Sequence, residues 1–246
     1  MPIRFSATIT KAERVDESLL LLTVRADTKF PRVDAGQFFH LAIDSFEAGS
    51  HWPESRAFSI AASSQSGEYR FIISRAGCFV ERLWQTAESG MPLWLKGPYG
   101  ELDIELDDVP PSSDVVFVAA GSGVSPFLSL ITKRIGSLSE TRSAISLLYS
   151  ARTPSLLSER EVFRDLARCH QEVFSAEFFV TRESVLPSED WAFVRRMNGE
   201  DLMSRVKDLN STHVFLSGPS ELVVGLRAHC IAEGMAPENI HFDDWG

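Results

Sequence analysis

A glycine turn near the middle of the chain is the strongest candidate for binding chemistry. Residues 115–131 have the sequence VVFVAAGSGVSPFLSLI, in which an apolar run ends at Gly121-Ser122-Gly123 and Pro126 opens a second apolar run. This pattern predicts a buried strand, a tight turn and the start of a helix. Because backbone N–H groups at such a turn and at a helix N-terminus bind phosphate, the turn predicts a phosphate site. An ordinary strand-to-helix turn is the alternative.

Three further motifs contain residues that could bind a ligand or take part in a reaction: Arg56-Ala57-Phe58-Ser59, Gly97-Pro98-Tyr99-Gly100 and Ser217-Gly218-Pro219. An arginine can give forked, charge-assisted hydrogen bonds to phosphate oxygens. Taken alone, the arginine motif also fits an amphipathic strand with an exposed cation. The order of the motifs along the chain is therefore more informative than any one of them.

The composition excludes several classes of function. The chain has 246 residues, 44% of them hydrophobic, and a net charge of -10, which disfavours nucleic-acid binding. The six histidines lack HxxxH or HExxH spacing, and the three cysteines lack zinc or iron–sulfur spacing, so we predict no metal site. We expect Cys78, Cys169 and Cys230 to be buried and the protein to be cytoplasmic. Neither a signal peptide nor a membrane span is expected.

The two halves of the chain predict different architectures. Strands at 6–10, 19–25, 37–43, 57–61, 68–74 and 91–95, with one helix at 79–88, predict an antiparallel barrel or sandwich. The acidic segment 103–114 is predicted to be a linker, with the boundary near Pro110. Strands at 115–120, 144–150, 177–181, 213–217 and 239–242 then alternate with helices at 126–135, 158–169, 198–206 and 220–233. Such alternation predicts a parallel sheet covered by helices.

In their order, the motifs resemble those of the ferredoxin–NADP reductase family. Arg56-Ala57-Phe58-Ser59 resembles its Arg-x-Tyr-Ser motif, residues 121–126 its glycine-rich nucleotide loop, and residues 217–219 its Cys-Gly-x segment. Residues 97–100 resemble the turn that closes its flavin domain. The resemblance covers nearly the whole chain and is greatest to short bacterial ferredoxin or flavodoxin reductases without a fused iron–sulfur domain. It implies an N-terminal antiparallel FAD-binding β-barrel (1–110) and a C-terminal α/β parallel-sheet nucleotide-binding domain (111–246).

The resemblance implies roles for residues of the first domain. Arg56 would pair with the FAD pyrophosphate, Phe58 next to Ala57 would lie against the isoalloxazine ring, and Ser59 would place a hydroxyl near flavin N5. The strand Ile72-Ile73-Ser74 would hold the flavin through its backbone, and Gly77-Cys78-Phe79-Val80 would form the phosphate turn. The family often has Ser or Thr where Val80 stands. We therefore expect FAD to be held there by backbone N–H groups and the helix dipole alone, and less tightly.

For the second domain, the resemblance implies a nicotinamide nucleotide held at Gly121-Ser122-Gly123-Val124 and Pro126, with Gly218-Pro219 close by. Ser217 stands where most of the family has a cysteine near the reacting centre, so slower turnover is expected. Trp245 corresponds to the family's terminal aromatic residue, which covers the flavin; a hydrophobic lid on the sheet edge is the alternative. The resemblance thus implies Ser59, Ser217 and Trp245 as the catalytic group.

Two arginines at strand ends bear on the choice of nucleotide. Arg152 ends one predicted strand, and Thr181-Arg182-Glu183 ends the next, which resembles members of the family that select NADPH through its 2′-phosphate. A carboxylate expected for NADH stands first at neither strand end. Arg195-Arg196 would add a cationic wall. NADH, with these arginines as solvated surface residues, remains the alternative.

The resemblance implies a cytoplasmic, monomeric flavoprotein reductase. It would pass a hydride between NADPH and FAD, and single electrons between FAD and a ferredoxin or flavodoxin. Arg75, Arg82 and Lys96 could give an acidic ferredoxin a basic rim. The alternatives are a flavin reductase or oxygenase reductase component, and a non-catalytic nucleotide-binding regulatory subunit, which Val80 and Ser217 keep open.

Overall fold

The structure is a computed structural model that describes residues 2–47, 49–137, 143–182 and 192–242. The chain divides into two compact units, a first unit of Met1–Asp103 and a second unit of Ile104–Gly246. Each unit has a hydrophobic core of its own. The predicted domain boundary near Pro110 lies shortly after this division.

The first unit is a closed barrel of six antiparallel strands, with neighbours in the order β1-β2-β5-β4-β3-β6. The predicted antiparallel barrel is thereby confirmed. Closure removes the free strand edges through which open sheets can associate. Its elements are β1 (Ile3–Arg14), β2 (Leu19–Ala26), β3 (Phe38–Ala42), β4 (Ser55–Ser63), β5 (Glu68–Ser74), the helix α1 (Gly77–Thr86) and β6 (Pro92–Tyr99).

Aromatic rings fill the inside of this barrel. The ring of Phe39 lies edge-on to Phe5 and Tyr69, with centroids 5.5 and 5.0 Å away. The buried Tyr69 donates its hydroxyl hydrogen to the carbonyl oxygen of Pro31 at 3.0 Å, and burial raises the pKa of Tyr69 to about 12. The buried phenol of Tyr69 therefore has a hydrogen-bond acceptor, and the rings around it pack in favourable edge-to-face contacts.

The segment predicted as a linker is partly helical, which corrects the sequence prediction. Helix α2 spans Leu102–Asp108, and Leu102, Leu106 and Val109 are all buried. Their spacing of four and three residues is that of one helix face. This apolar period outweighs the acidic composition, and the two prolines follow the helix without interrupting it.

The second unit contains a sheet of six strands, in the order β10-β9-β8-β7-β11-β12, all of them parallel. The predicted parallel sheet is confirmed, although the three-residue strand β10 was not predicted. The elements are β7 (Val115–Ala120), α3 (Phe127–Ser137), β8 (Ile145–Ala151), α4 (Arg160–Cys169), β9 (Phe174–Val180), β10 (Ala192–Val194), α5 (Gly199–Met203), β11 (His213–Ser217), α6 (Ser220–Ala232) and β12 (Ile240–Phe242).

The strand order of this sheet reverses at β7. From β7 the chain adds β8, β9 and β10 on one side, and it later adds β11 and β12 on the other side. The loops that leave the carboxyl ends of β7 and β11 therefore turn in opposite directions. Open parallel sheets bind ligands at such a switch point. The glycine turn follows β7, and Ser217 ends β11, so both motifs lie there.

The helices differ from their predicted bounds mainly at their ends. Helix α1 begins at Gly77, so the predicted phosphate turn is its first turn. Helix α5 is shorter than predicted, and its capping box pairs Asn198 with Asp201. Within the described part of the chain, no helix has the length and apolar character needed to cross a membrane.

A buried arginine ties helix α3 to the segment before the sheet. Arg134 is 4% exposed and donates to the carbonyl oxygens of Val109, Pro110 and Ser113 at 3.1, 2.7 and 3.0 Å. Burial lowers the pKa of its guanidinium. These hydrogen bonds close the loop between α2 and β7.

We expect Arg134→Met to lower the free energy of unfolding by about 2–4 kcal/mol, because it leaves buried carbonyl groups without donors. Urea unfolding followed by circular dichroism measures the change. Lys133→Met is the control, since Lys133 lies on the same helix in a partly exposed ion pair with Asp107 and should cost under about 1 kcal/mol. Equal losses in the two variants would contradict the bonding role of Arg134.

Candidate functional site

The first candidate site lies where β4 and helix α1 meet in the barrel. The guanidinium carbon of Arg56 lies 5.5 Å from the centroid of the Phe79 ring, and Phe79 is in the first turn of α1. The ring of Phe58 lies 6.4 Å from the same ring. The structure therefore brings the arginine motif and the predicted phosphate turn together, although they are separated in sequence.

The N-terminus of helix α1 offers hydrogen-bond donors. No side chain caps it: Ala76 precedes it, and its first turn contains no acidic residue. Gly77 adopts φ +76, and no heavy atom lies within 4 Å of the place where its Cβ would stand. First-turn N–H groups and the helix dipole favour an anion, and the open space beside Gly77 admits one.

The side chains along this site divide between core and surface. Ala57, Phe58 and Ser59 are half-buried on β4, whereas Cys78 is exposed. Val80 is only 6% exposed and belongs to the barrel core. Val80 therefore offers no hydroxyl at this helix start, and its role in a phosphate turn stays a prediction.

Strand β5 supplies the third predicted segment. The pairing of β4 with β5 ends at Ile60 and Phe71, so Ile72-Ile73-Ser74 lie beyond it, toward helix α1. Ile72 and Ile73 are buried and pair with β2, and the side chain of Ser74 is exposed. Residues 72–74 therefore continue β5 past its register with β4 and lead toward helix α1.

The second candidate site is the carboxyl edge of the parallel sheet. The glycine turn forms a short 3-10 helix, Gly121–Val124, and α3 follows directly after Pro126. A Cβ atom at Gly123 would lie 2.5 Å from the carbonyl oxygen of Ser217 and 2.7 Å from the nitrogen of Gly218. The turn after β7 and the end of β11 are thus in backbone contact. Only glycine at position 123 permits this contact.

Tyr149 also supports the glycine turn, a role that the sequence analysis missed. Its hydroxyl donates to the carbonyl oxygen of Gly121 at 3.2 Å, and the carbonyl oxygen of Leu156 lies at 3.3 Å. Tyr149 is fully buried, and burial raises the pKa of its phenol. The available signal was a phenol inside the buried strand ISLLYSA, because a buried hydroxyl needs a partner.

The strand ends that bear on nucleotide choice are adjacent. The N–H of Arg182 donates to the carbonyl oxygen of Arg152 at 2.8 Å, and the N–H of Thr181, directly after β9, donates to that of Ala151 at 3.2 Å. Arg152, Thr181 and Arg182 are all exposed. In the described part of the chain, neither guanidinium has a carboxylate within ion-pair distance. The edge therefore carries two neighbouring cations that can meet an anion.

Comparison with known proteins supports the two-part organisation. Residues 117–227 match the oxidoreductase NAD-binding domain, which includes the whole second site. The reductase component of propane 2-monooxygenase from Rhodococcus jostii (strain RHA1) is 28% identical over 212 residues, which are 85% of this chain and 54% of that protein. The chain spans about half or less of the length of the curated relatives that it matches.

Two solved structures match the fold over the full chain. The ferredoxin–NADP+ reductase of Neisseria gonorrhoeae, solved with FAD and NADP, has a TM-score of 0.77 at 18% identity and covers 99% of each chain. The ferredoxin reductase of carbazole 1,9a-dioxygenase has a TM-score of 0.75 at 22% identity, over 100% of this chain and 70% of that one. At these identities, both structures show the fold of this chain.

The chain has the two-domain fold of the ferredoxin–NADP reductases, and its second unit contains an oxidoreductase NAD-binding domain. The predicted resemblance to that family is thereby confirmed. The predicted cofactors, FAD with a nicotinamide nucleotide, agree with these relatives. The individual site residues remain predictions at the places described above.

One departure from the family motif has a clear structural setting. Ser217, in the place of the family's cysteine, is 3% exposed and ends β11 at the switch point. Gly218 and Pro219 follow it, and Pro219 directly precedes helix α6. The serine is therefore held in the backbone contact with the glycine turn. Trp245 and Glu183 lie outside the described residues.

Several cations that were predicted to be available for ligands have protein partners. Arg195 pairs with Asp201 through both carboxylate oxygens, and it lies over the rings of Phe179 and Phe193. This bonding makes Arg195 part of the α5 cap, which corrects its assignment to a cationic wall. Its pKa is raised, chiefly by the hydrogen bond to Asp201.

The predicted basic rim is also largely neutralised. Arg75 makes two hydrogen bonds to Glu81, at 2.7 and 2.8 Å, and this contact raises the pKa of Arg75 and lowers that of Glu81. Arg82 likewise pairs with carboxylates, and Lys96 is half-buried over the ring of Tyr99. Because Arg75 and Arg82 are already paired with carboxylates, they would add little to the binding of a strongly acidic partner.

Of the cysteines and the paired histidines, only Cys78, in the first turn of α1, lies at either site. Cys78 and Cys169 are exposed, contrary to expectation, while Cys230 is buried and its pKa is raised to about 11 by desolvation. His213 and His241 are hydrogen-bonded at 3.0 Å, and burial, then His241, lower the pKa of His213 to about 4. His213 begins β11, at the opposite end of that strand from Ser217. Among the described residues, no group of three or more His, Cys, Asp or Glu could hold a metal ion.

Proposed function

We propose that this chain is a reductase that uses FAD and NADPH and passes electrons singly to a carrier of the ferredoxin or flavodoxin type. The observation that carries the choice of NADPH is the adjacent pair Arg152 and Arg182, which have no carboxylate partner among the described residues. NADPH differs from NADH by an anionic 2′-phosphate, which guanidinium groups bind well. Thr181 adds a hydroxyl at the same strand end.

The first site supports FAD through an anion-binding corner built from Arg56 and the uncapped start of helix α1. Arg56 would hold the pyrophosphate together with the N–H groups that follow Gly77. Half-buried Phe58 would supply aromatic surface to the flavin ring, and Ser59 a hydroxyl. When bound, FAD exchanges electron pairs with nicotinamide and single electrons with the carrier.

Around the glycine turn, the second site supports the nucleotide through the shape of its backbone. Gly121-Ser122-Gly123 keep the backbone close to the end of β11, and Tyr149 fixes the carbonyl of Gly121. The buried hydroxyl of Ser217 is proposed to contact the nicotinamide. It is less polarizable than the thiol of the family motif, so we expect slower turnover. Cytoplasmic location and a monomeric state also remain predictions.

An absorbance spectrum of the purified protein, followed by anaerobic titrations with NADPH and with NADH, tests the proposal. A bound flavin that bleaches at a much lower concentration of NADPH than of NADH would support it. If the protein contains no flavin and takes up none from added FAD, the proposal is wrong. Bleaching by NADH at lower concentration would overturn the assignment of NADPH.

We expect Arg182→Ala to raise KM for NADPH about 10- to 150-fold, because a charge-assisted hydrogen bond to phosphate contributes about 1.5–3 kcal/mol. KM for NADH should change little, because NADH has no 2′-phosphate. Steady-state kinetics with both nucleotides measure the effect. Arg168→Ala is the control, since Arg168 is an exposed arginine of helix α4 paired with Asp165. An equal rise for both nucleotides would argue against a phosphate contact.

A reductase component of an oxygenase is the second candidate. The propane 2-monooxygenase and carbazole dioxygenase reductases named above favour it, and so do the neutralised cations Arg75 and Arg82. Rapid reduction of free flavin without a protein carrier would instead favour a flavin reductase. Flavin that is bound but not bleached by either nucleotide would favour a non-catalytic subunit.

A further inference from the structure

One carboxylate in the first site is shared between two arginines. Glu54, in the segment before β4, accepts from Nη2 of Arg56 at 3.1 Å through one oxygen and from Nη1 of Arg82 at 3.2 Å through the other. Arg82 lies on helix α1 and also donates to Asp44 at 2.6 Å. The cation that sequence analysis assigns to a phosphate is therefore already paired with an anion of the chain itself.

The three side chains of this bridge are well exposed. The exposed fractions are 54% for Arg56, 44% for Glu54 and 47% for Arg82. Ion pairs at such exposure contribute little to holding a side chain in one place. The guanidinium of Arg56 has a second restraint, the face of the Phe79 ring at 5.5 Å, which does not depend on Glu54.

An incoming pyrophosphate group and Glu54 need the same donors. Both are anions, and the donor fork of Arg56 cannot serve two anions fully at once. A carboxylate that stays beside Arg56 also repels the phosphate charge directly, an interaction felt over several ångströms at low ionic strength. Glu54 can stay bound to Arg82 after it leaves Arg56, because Nη1 of Arg82 already donates to the second carboxylate oxygen of Glu54.

We propose that Glu54 is a built-in competitor for the phosphate group of FAD. Glu54 occupies Arg56 in the free protein and transfers to Arg82 alone when the phosphate binds. This inference rests on the proposed function, because it presumes that Arg56 receives the FAD pyrophosphate. Glu54 thereby sets the affinity for FAD without being one of its ligands.

Glu54→Gln tests the proposal, since the amide keeps the size and the acceptor oxygen of the carboxylate but removes its charge. We expect the Kd for FAD of the full-length apoprotein to fall about three- to tenfold at low ionic strength, and the ratio to approach one at about 1 M salt. Quenching of flavin fluorescence and isothermal titration calorimetry measure Kd independently of turnover. Glu68→Gln is the charge-matched control, because Glu68 pairs with Arg25 at the opposite end of β5 from Ser74.

The outcomes separate the two levels of the proposal. If the parent protein does not bind FAD, the proposed function fails and the competitor role fails with it. If the parent protein binds FAD but Glu54→Gln binds it equally or less tightly, the competitor role alone is wrong and Glu54 is instead neutral or orients Arg56. An equal gain in Glu68→Gln would indicate a general charge effect and would also overturn the role of Glu54.

Discussion

Arg56→Ala should weaken FAD binding about 30- to 150-fold, so that the purified protein loses its flavin on gel filtration. The expected loss corresponds to about 2–3 kcal/mol, the contribution of hydrogen bonds between a charged donor and a charged acceptor. The N-terminus of helix α1 remains in this variant, so residual binding at high FAD concentration is expected. Flavin absorbance after gel filtration and a fluorescence titration of Kd give the two readouts.

Arg25→Ala provides the matched control for Arg56→Ala. Arg25 is an exposed arginine of the same barrel, paired with Glu68 at 3.3 Å, and it lies on β2 rather than at the start of α1. Its removal should leave flavin content and Kd unchanged. Retention of flavin by Arg56→Ala, at the level of Arg25→Ala, would remove Arg56 from the cofactor site.

Gly123→Ala should lower the free energy of unfolding by about 2–4 kcal/mol and also weaken the binding of the nicotinamide nucleotide. The added Cβ would meet the carbonyl oxygen and carbon of Ser217 at 2.5 and 2.6 Å, and these are backbone atoms that cannot rotate away. The turn or the end of β11 must therefore shift, and both belong to the second site. Urea unfolding and a titration with NADPH measure the two effects.

Gly136→Ala is the control for that substitution. Gly136 lies in helix α3, and no atom stands within 4 Å of the place of its Cβ. Because alanine is a better helix former than glycine, this change should be neutral or stabilise by up to about 1 kcal/mol. If Gly123→Ala is tolerated as well as Gly136→Ala, the contact between the turn and β11 does not constrain residue 123.

The fold was largely predictable because the spacing of apolar residues indicates which segments form strands and which form helices. Alternating strands with one helix among them predicted an antiparallel barrel or sandwich, and the family resemblance implied the barrel. Strand–helix alternation predicted the parallel sheet. The exceptions are instructive. Helix α2 was assigned to a linker because acidic residues and Pro110-Pro111 obscured the buried period of Leu102, Leu106 and Val109. Strand β10 has three residues, too few to show a period, and forms by pairing with β9.

Charge pairing was the least predictable property of the sites. Three arginines looked available for ligands in the sequence but are paired with carboxylates in the structure. Arg75 pairs with Glu81, Arg82 with Glu54 and Asp44, and Arg195 with Asp201. Arg152 and Arg182 look the same in sequence but have no such partner in the described residues. Which arginine is free depends on the carboxylates that folding brings within a few ångströms, and some of those come from other elements.

The sequence by itself determined the order of the two units, the family motifs and the positions of the glycine turn and of Ser217 at strand ends. These follow from local patterns, since apolar period and turn residues act over a few positions. Only the tertiary structure decided that Gly123 touches the backbone of Ser217, that Tyr149 holds Gly121, and that Glu54 joins Arg56 to Arg82. Such contacts join residues from different elements, and their distances depend on how strands pair and helices pack rather than on any local pattern.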